Sequence, residues 1–432
     1  MFSVAVFLYN YKKQEKYSLS IFALKSHSEN NSIYINQTET YGIRFNQDSP
    51  LSSDVNIINT YIKDSGIYFR NLPEKTIIKD TQITGGSGIN ISSLSDKFDF
   101  IVDNSEISVE GSPFYMSAYS SYNSYDNKNF KITNSVLSSE KSSGMYLNGY
   151  LGQLNIEKSD IIGGAEKNIS GNDSFGIYTS GYLNIKSTNI KGFRNGLYLN
   201  CNDTKGAKLS VLDNVTIDGL GVDNNYSGIY TSVSLDIKNS KISNFYYGIY
   251  NALSYYTAGT PILNINKTNI DETIYGIWTR AICNIGESDK NATKDFKIYG
   301  SSASVHGEKY SQSHTNGTYT ENSTINFYDG ILSQNSLSQV KVDNIEEGFV
   351  LKKEIDSKDR INLVLGKDEE EKPFGVSDKE YGTLDTAIDA AMDAASPKTV
   401  ITPKDAEEKL KITNPLTKID LSEFISEGEY SF

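Results

Sequence analysis

The stretch LDIKNSKISNFYYGIY, residues 235–250, decides the fold of this chain. It carries three apolar pulses, Leu235 with Ile237, then Ile242, then Ile249, separated by polar residues. Pulses this short, alternating with period two, suit short strands and cannot make a helix. The Asn and Ser between them bond their own backbone and turn it.

The same two phrases recur through the sequence, and internal repetition outranks every other signal. The first phrase reads Val55-Asn-Ile57 to Ile62, Ile77-Ile78 to Ile83, and Ile101-Val102 to Ile107. It returns at Leu154 to Ile161, Leu183 to Ile190, Leu209-Ser-Val211 to Ile217, Leu235 to Ile242 and Leu263 to Ile270. The closing isoleucines mostly lie 20 to 30 residues apart. The second phrase is a glycine, an aliphatic residue and usually an aromatic one. It stands at Gly42, Gly66, Gly88, Gly144, Gly176, Gly196, Gly228, Gly248 and Gly276.

No single three-strand coil can bury its inward Leu and Ile, but stacked coils about 4.8 Å apart share a continuous core. The expectation is an all-β, right-handed parallel β-helix solenoid of about 10–11 coils over residues 31–335, about 50 Å long. A sandwich would place Asn-Gly or Asp-Gly between its strands, and a propeller blade needs a period of about 40 residues.

The alternation in TNIKGFRNGLYL (188–199), SKISNFYYGIY (240–250) and TNIDETIYGIW (268–278) resembles the repeats of the pectin-lyase-like superfamily of right-handed parallel β-helices. In style it is closest to repeat-built bacterial surface proteins. That superfamily includes lyases, hydrolases, phage tailspikes and non-catalytic surface proteins, so the resemblance implies the fold and leaves the activity open.

The ends read differently. Residues 1–30 are a cap or a first coil, and 336–378 a charged linker or hairpin. In 379–432, Thr383–Ser396 has helical spacing, with Thr383 as N-cap and Pro397 as stop, followed by short strands. This small α/β segment either caps the rod or, as the resemblance to surface proteins implies, begins a second β-helix unit. The chain therefore reads as a segment of a longer modular protein.

The formal net charge is -13, and nine of those charges lie after residue 345, where 21 acidic residues face 12 basic ones. A near-neutral repeat region with an acidic tail does not suit nucleic acid, whose phosphates need clustered Lys and Arg. No apolar run approaches the roughly 20 residues of a membrane span. Cys201 and Cys283 allow one bridge or two isolated thiols, so stability rests on stacking.

Chemistry is sparse. Arg280 lies near Asp271 and Glu272 in the chain, which reads as a surface ion trio. Asp103, Asp160 and Asp236 fall singly in turns or on strands. His306 and His314 flank Glu308 in a polar stretch read as a loop, and Cys and His are too few for a zinc cluster. No catalytic set, metal or cofactor is expected. The functional candidate is a row of outward aromatics following the inward aliphatics: Tyr68, Tyr146, Tyr178, Tyr198, Tyr230, Tyr250 and Trp278. Such a row either stabilises neighbouring coils or offers a surface to a glycan or a partner protein.

These features point to a non-catalytic, adhesin-like scaffold, secreted or at the cell surface. The alternatives are a polysaccharide lyase or glycoside hydrolase of the pectin-lyase-like type, and a phage tail-spike-like fibre.

Overall fold

The computed structural model describes residues 5–11, 16–22, 33–36, 39–46, 54–94, 97–117, 128–150, 152–164, 174–200, 209–222, 225–252, 261–288, 292–314, 317–335, 342–367, 374–376, 379–381, 399–401 and 418–420. It divides into two units, Met1–Gly366 and Lys367–Phe432.

The first unit is all-β, with one long, mostly parallel sheet. The coil at 235–251 shows how it is built. Leu235–Lys238 forms one strand, and the two halves of Lys241–Asn251 form the second and third. Each pairs in parallel with its counterpart one coil on, Leu235 with Leu263, Ile242 with Ile270 and Ile249 with Ile277. Eleven such sets of three run from Ile33 to Gly307 among the described residues. This is the pairing pattern of a β-helix solenoid, with three ladders numbered here in chain order. Inward side chains stack like on like: Ile156, Ile185, Leu212 and Ile237 in the first ladder, and Ile161, Ile190, Ile217 and Ile242 in the second, all buried.

The corner between the first two ladders explains the recurrent Asn-Ser and Asp-Thr pairs. Asn59, Asp80, Asn104, Asn134, Asn214 and Asn239 adopt left-handed backbone, with φ between 45° and 56°. Asn and Asp tolerate this region better than most residues. The next residue turns inward, and where it is Ser or Thr, as at all but Val215, its hydroxyl bonds the carbonyl two residues back: Ser105 to Asp103 at 2.8 Å, Ser135 to Thr133 at 2.6 Å, Ser240 to Lys238 at 2.7 Å. The same hydroxyls accept amide protons from the preceding coil, Thr81 to Ser105 at 3.2 Å and Ser105 to Ser135 at 3.1 Å. Buried polar groups are thereby paired from coil to coil.

Acids on the strands do similar work outside. Asp103 accepts from Thr133 (2.7 Å) and Asn134 (3.0 Å), Asp160 from Asn189 (2.7 Å) and Asp236 from Asn264 (2.6 Å). The Thr133 hydrogen bond, helped by Asn134, Lys79 and Lys131, outweighs burial and holds the Asp103 carboxyl below its ordinary value.

One apolar phrase, Leu209-Ser-Val211, sits one residue out of the expected register, and two that offered adjacent apolar residues turn the second of each pair inward. Leu209 is exposed, and Ser210 and Leu212 face inward. Ile77 and Ile101 are outward, while Ile78 and Val102 are buried. A one-residue slip reverses every side chain of a strand, so neighbouring coils decide which apolar residue is inside; Ser210 also accepts the Leu183 amide proton at 3.1 Å.

The ladders also run beyond the expected limits. Ala5–Tyr11 and Lys16–Phe22 form an antiparallel hairpin whose second strand joins the third ladder beside Ile43–Phe45. Past residue 335, Asn344–Ile345 extends the first ladder, and Ile361–Lys367 covers the last strand of the second in antiparallel fashion. Cys283 is a free, buried thiol, pushed up to about 12 by burial. Cys201, His27 and the helix expected at Thr383–Ser396 lie outside the described residues.

In the second unit, Phe374–Val376 pairs antiparallel with Lys379–Tyr381 and with Thr399–Ile401, and Thr399–Ile401 pairs in parallel with Lys418–Asp420. Among the described residues no helix is long and apolar enough to cross a membrane.

Candidate functional site: the aromatic face of the third ladder

Parallel, in-register pairing places the residue after each inward aliphatic directly over its equivalent one coil away. Tyr146, Tyr178, Tyr198, Tyr230, Tyr250 and Trp278 are therefore register partners in sequence. The rings stack. Centroid distances run 4.7 Å for Tyr146–Tyr178, 5.1 Å for Tyr178–Tyr198, 4.4 Å for Tyr198–Tyr230, 5.5 Å for Tyr230–Tyr250 and 6.5 Å for Tyr250–Trp278. Interplanar angles are 20° or less.

Two further rings extend the stack. Tyr115 stacks on Tyr146 at 5.6 Å, and His306 lies against Trp278 at 4.0 Å. Neither follows a glycine-aliphatic pair, because Pro113 and Ser304 occupy the glycine position. The usable signal was apolar-aromatic-apolar in Phe114-Tyr115-Met116. Tyr68 is separated from the stack: Asn90 lies between it and Tyr115 in the register, and Ser92 donates a hydrogen bond to its hydroxyl at 3.1 Å.

The glycine beside each ring is required by space. A Cβ on Gly228 would lie 2.5 Å from Ile242 Cγ2 and 2.7 Å from the Gly248 carbonyl oxygen. From Gly144 to Gly276 the second and third ladders meet at this corner too closely for a side chain, whereas the coils of Pro113 and Ser304 accept one.

The C-terminal end of the face gathers the charged groups. Glu308 Oε2 accepts from Arg280 Nε at 2.7 Å and from Trp278 Nε1 at 3.1 Å, and the Arg280 guanidinium lies 5.6 Å from the Tyr250 ring centroid. Arg280 thus pairs with Glu308, one coil on, rather than with Asp271 and Glu272, which lie on the second-ladder side of the same strand. His306 belongs to the strand Ala303–Gly307 and His314 to the strand Lys309–His314, not to a loop. Tyr247 and Tyr275 set their rings edge-on to Trp278 at 80° and 85°. Among the described residues no group of three or more His, Cys, Asp or Glu is placed to hold a metal ion.

Electrostatics follow from this packing. Burial, with neighbouring phenols and Glu308, raises the Tyr247 hydroxyl. Burial also raises Tyr250, against the Arg280 charge. Burial of Glu308 is outweighed by the Arg280 and Trp278 hydrogen bonds and the Arg280 and His306 charges, so its carboxyl sits below its ordinary value. Burial lowers His306, with Glu308 opposing.

Both shifts act in one direction. The unfolded His306 takes up its proton first, so stability falls as pH drops from 6.5 toward the lower folded value. The Glu308 contribution is complete above 4.5 and is lost as pH falls through its folded value. Trp278 is the single tryptophan and reports this end alone. Its emission is expected to be quenched on acidification, with a midpoint below 6.5, and His306→Gln should flatten that titration. A midpoint at or above the ordinary histidine value would contradict the packing described.

Compared with known proteins, the chain matches no family model, no curated protein and no solved structure.

Proposed function

We propose that this chain is a non-catalytic, adhesin-like β-helix scaffold, secreted or surface-exposed, that binds an extended ligand along its aromatic face. We take the winding as right-handed, the hand of nearly all parallel crossovers, and as pectin-lyase-like in style. The observation that carries the reading is the unbroken stack of eight half-buried or exposed rings from Tyr115 to His306.

Ring geometry favours one class of ligand. Each inner ring spends both faces on its neighbours, so a ligand meets ring edges and phenol hydroxyls. Edges carry the positive part of the quadrupole and hydroxyls both donate and accept, which suits a hydroxyl- and ether-rich chain better than an apolar helix. The face is about 34 Å long and one strand wide, small against the roughly 800 Å² per partner of a stable protein interface. A linear glycan fits these limits better than a folded protein. The lyase or hydrolase alternative asks for two carboxylates with an Arg or Lys in one outward groove. On the aromatic face Glu308 is the only carboxylate beside Arg280 among the described residues. A separate cleft on the second ladder, lined by Asp271, Glu272, Arg360 and three lysines, meets that requirement and keeps the enzyme as the second reading.

The test is retention on a panel of immobilised neutral and acidic polysaccharides. The double substitution Tyr198→Phe with Tyr230→Phe keeps the stack and removes two hydroxyls. At least one polysaccharide should retain the protein, and the double variant should bind it about tenfold more weakly with an unchanged far-UV circular dichroism spectrum at the temperature of the assay. Retention by none, retention indifferent to the substitutions, or release of unsaturated product would each overturn the reading.

A further inference from the structure

A second surface, on the outer side of the second ladder, carries a different chemistry. A cleft of about 730 Å³ opens there, lined by Lys241, Lys297, Lys358 and Arg360 together with Asp271 and Glu272. Four cations there face three carboxylates, Asp271, Glu272 and Asp356, in a repeat region that is otherwise near-neutral.

Their positions are built by the fold. Lys241 and Lys297 stand two coils apart on the same outward position, about 10 Å, with Asn269 between them accepting the Lys297 amide proton at 2.9 Å. Arg360 comes from the turn before the covering strand. Asp356 braces that turn by accepting from the amides of Lys358 (2.9 Å) and Arg360 (3.1 Å), from Arg360 Nε (2.8 Å) and from Lys297 Nζ (3.2 Å). The guanidinium also lies over the Tyr299 ring, 5.2 Å from its centroid.

Arginine carries five N–H donors in a rigid fork. One is spent on Asp356, so orientation is fixed while the two Nη groups have no hydrogen-bond partner among the described residues. Lys241 and Lys358 likewise have no ion-pair partner among the described residues. A guanidinium held from behind, partly desolvated at 23% side-chain exposure and flanked by mobile ammonium groups, matches an oxyanion in two-point contact.

We propose that this cleft binds an oxyanion group, a phosphate, sulfate or carboxylate, on a ligand whose hydrogen-bond donors meet Asp271 and Glu272. Arg360 clamps the anion, and Lys241 and Lys358 complete its charge. The cleft is separate from the aromatic face, so the failure of either reading leaves the other standing.

Calorimetric titration of the full chain with inorganic phosphate, sulfate and acetate, at constant ionic strength held by chloride, tests it. At least one anion should bind saturably, and their order separates tetrahedral from planar preference. Arg360→Gln should weaken binding about tenfold or more. Lys241→Gln, which breaks no contact within the described fold, should weaken it severalfold with an unchanged unfolding midpoint. If Arg360→Gln loosens the turn, Lys241→Gln decides alone. No saturable binding of any anion, or binding that survives both substitutions, overturns the proposal.

Discussion

Gly228→Val is expected to destabilise the solenoid by about 3 kcal/mol or more, the upper range for overpacking a rigid core. The Cβ alone would meet Ile242 Cγ2 at 2.5 Å, the Gly248 carbonyl oxygen at 2.7 Å and Phe245 Cδ2 at 3.0 Å. All three belong to the long strand Lys241–Asn251 of the next coil, two as side chains and one as backbone, so relief requires separating coils that the ladders hold in register. Gly176, Gly196, Gly248 and Gly276 stand in the same position, each with a carbonyl oxygen of the next coil 2.4 to 2.6 Å from the added carbon. Gly111→Ala is the matched control, since its Cβ meets only the Gly86 oxygen at 3.8 Å. Urea unfolding followed by far-UV circular dichroism should show a large fall in midpoint for the first and little change for the second. An unchanged midpoint in Gly228→Val would mean that the corner is looser than described.

Phe130→Ala should cost about 3–5 kcal/mol, the usual range for deleting a buried aromatic ring. Phe130 is fully buried in the first ladder and touches Phe100 at 4.8 Å, Phe114 at 5.3 Å and Tyr150 at 6.1 Å between centroids. Tyr150 cannot shift into the space, because its hydroxyl donates to the Gln153 carbonyl at 2.6 Å. Each coil contacts only its neighbours, so the cavity weakens two coil-to-coil interfaces and leaves the rest of the stack in place. Thermal unfolding should therefore broaden or split as well as shift. A loss below about 1 kcal/mol would indicate that the coils repack around the gap.

Much of the architecture was legible because its period is short and its chemistry local. Apolar residues two apart marked strands, and the Asn, Asp, Ser and Thr between them marked turns; the structure alone showed a left-handed residue preceding an inward hydroxyl at the corner. The glycine of each Gly-aliphatic-Tyr phrase was equally visible, although its cause, the closeness of the second and third ladders, is a distance between strands. Where two apolar residues were adjacent, as at Ile77–Ile78, the sequence left the inward choice open, and at Leu209-Ser-Val211 it pointed to the wrong pair. Neighbouring coils made that choice, because only one register continues the stack of Ile78 and Val102 or seats Ser210 against the Leu183 amide.

The candidate sites divide in the same way. Six of the seven expected rings, Tyr146 to Trp278, were readable from the repeat, since parallel in-register pairing converts a recurring position into a physical row. Tyr115 and His306 escaped because Pro113 and Ser304 replace the marker glycine, and Tyr68 fell away because Asn90 interrupts the register. The pairing of Arg280 with Glu308 and the brace of Asp356 on Arg360 and Lys297 depend on which coils and turns come to lie side by side. Sequence by itself determined a stack of short strands and an outward aromatic row, both consequences of alternation along one strand. Tertiary structure alone decided where that row begins and ends and where the charges meet, because those outcomes depend on spacing between strands distant in the chain.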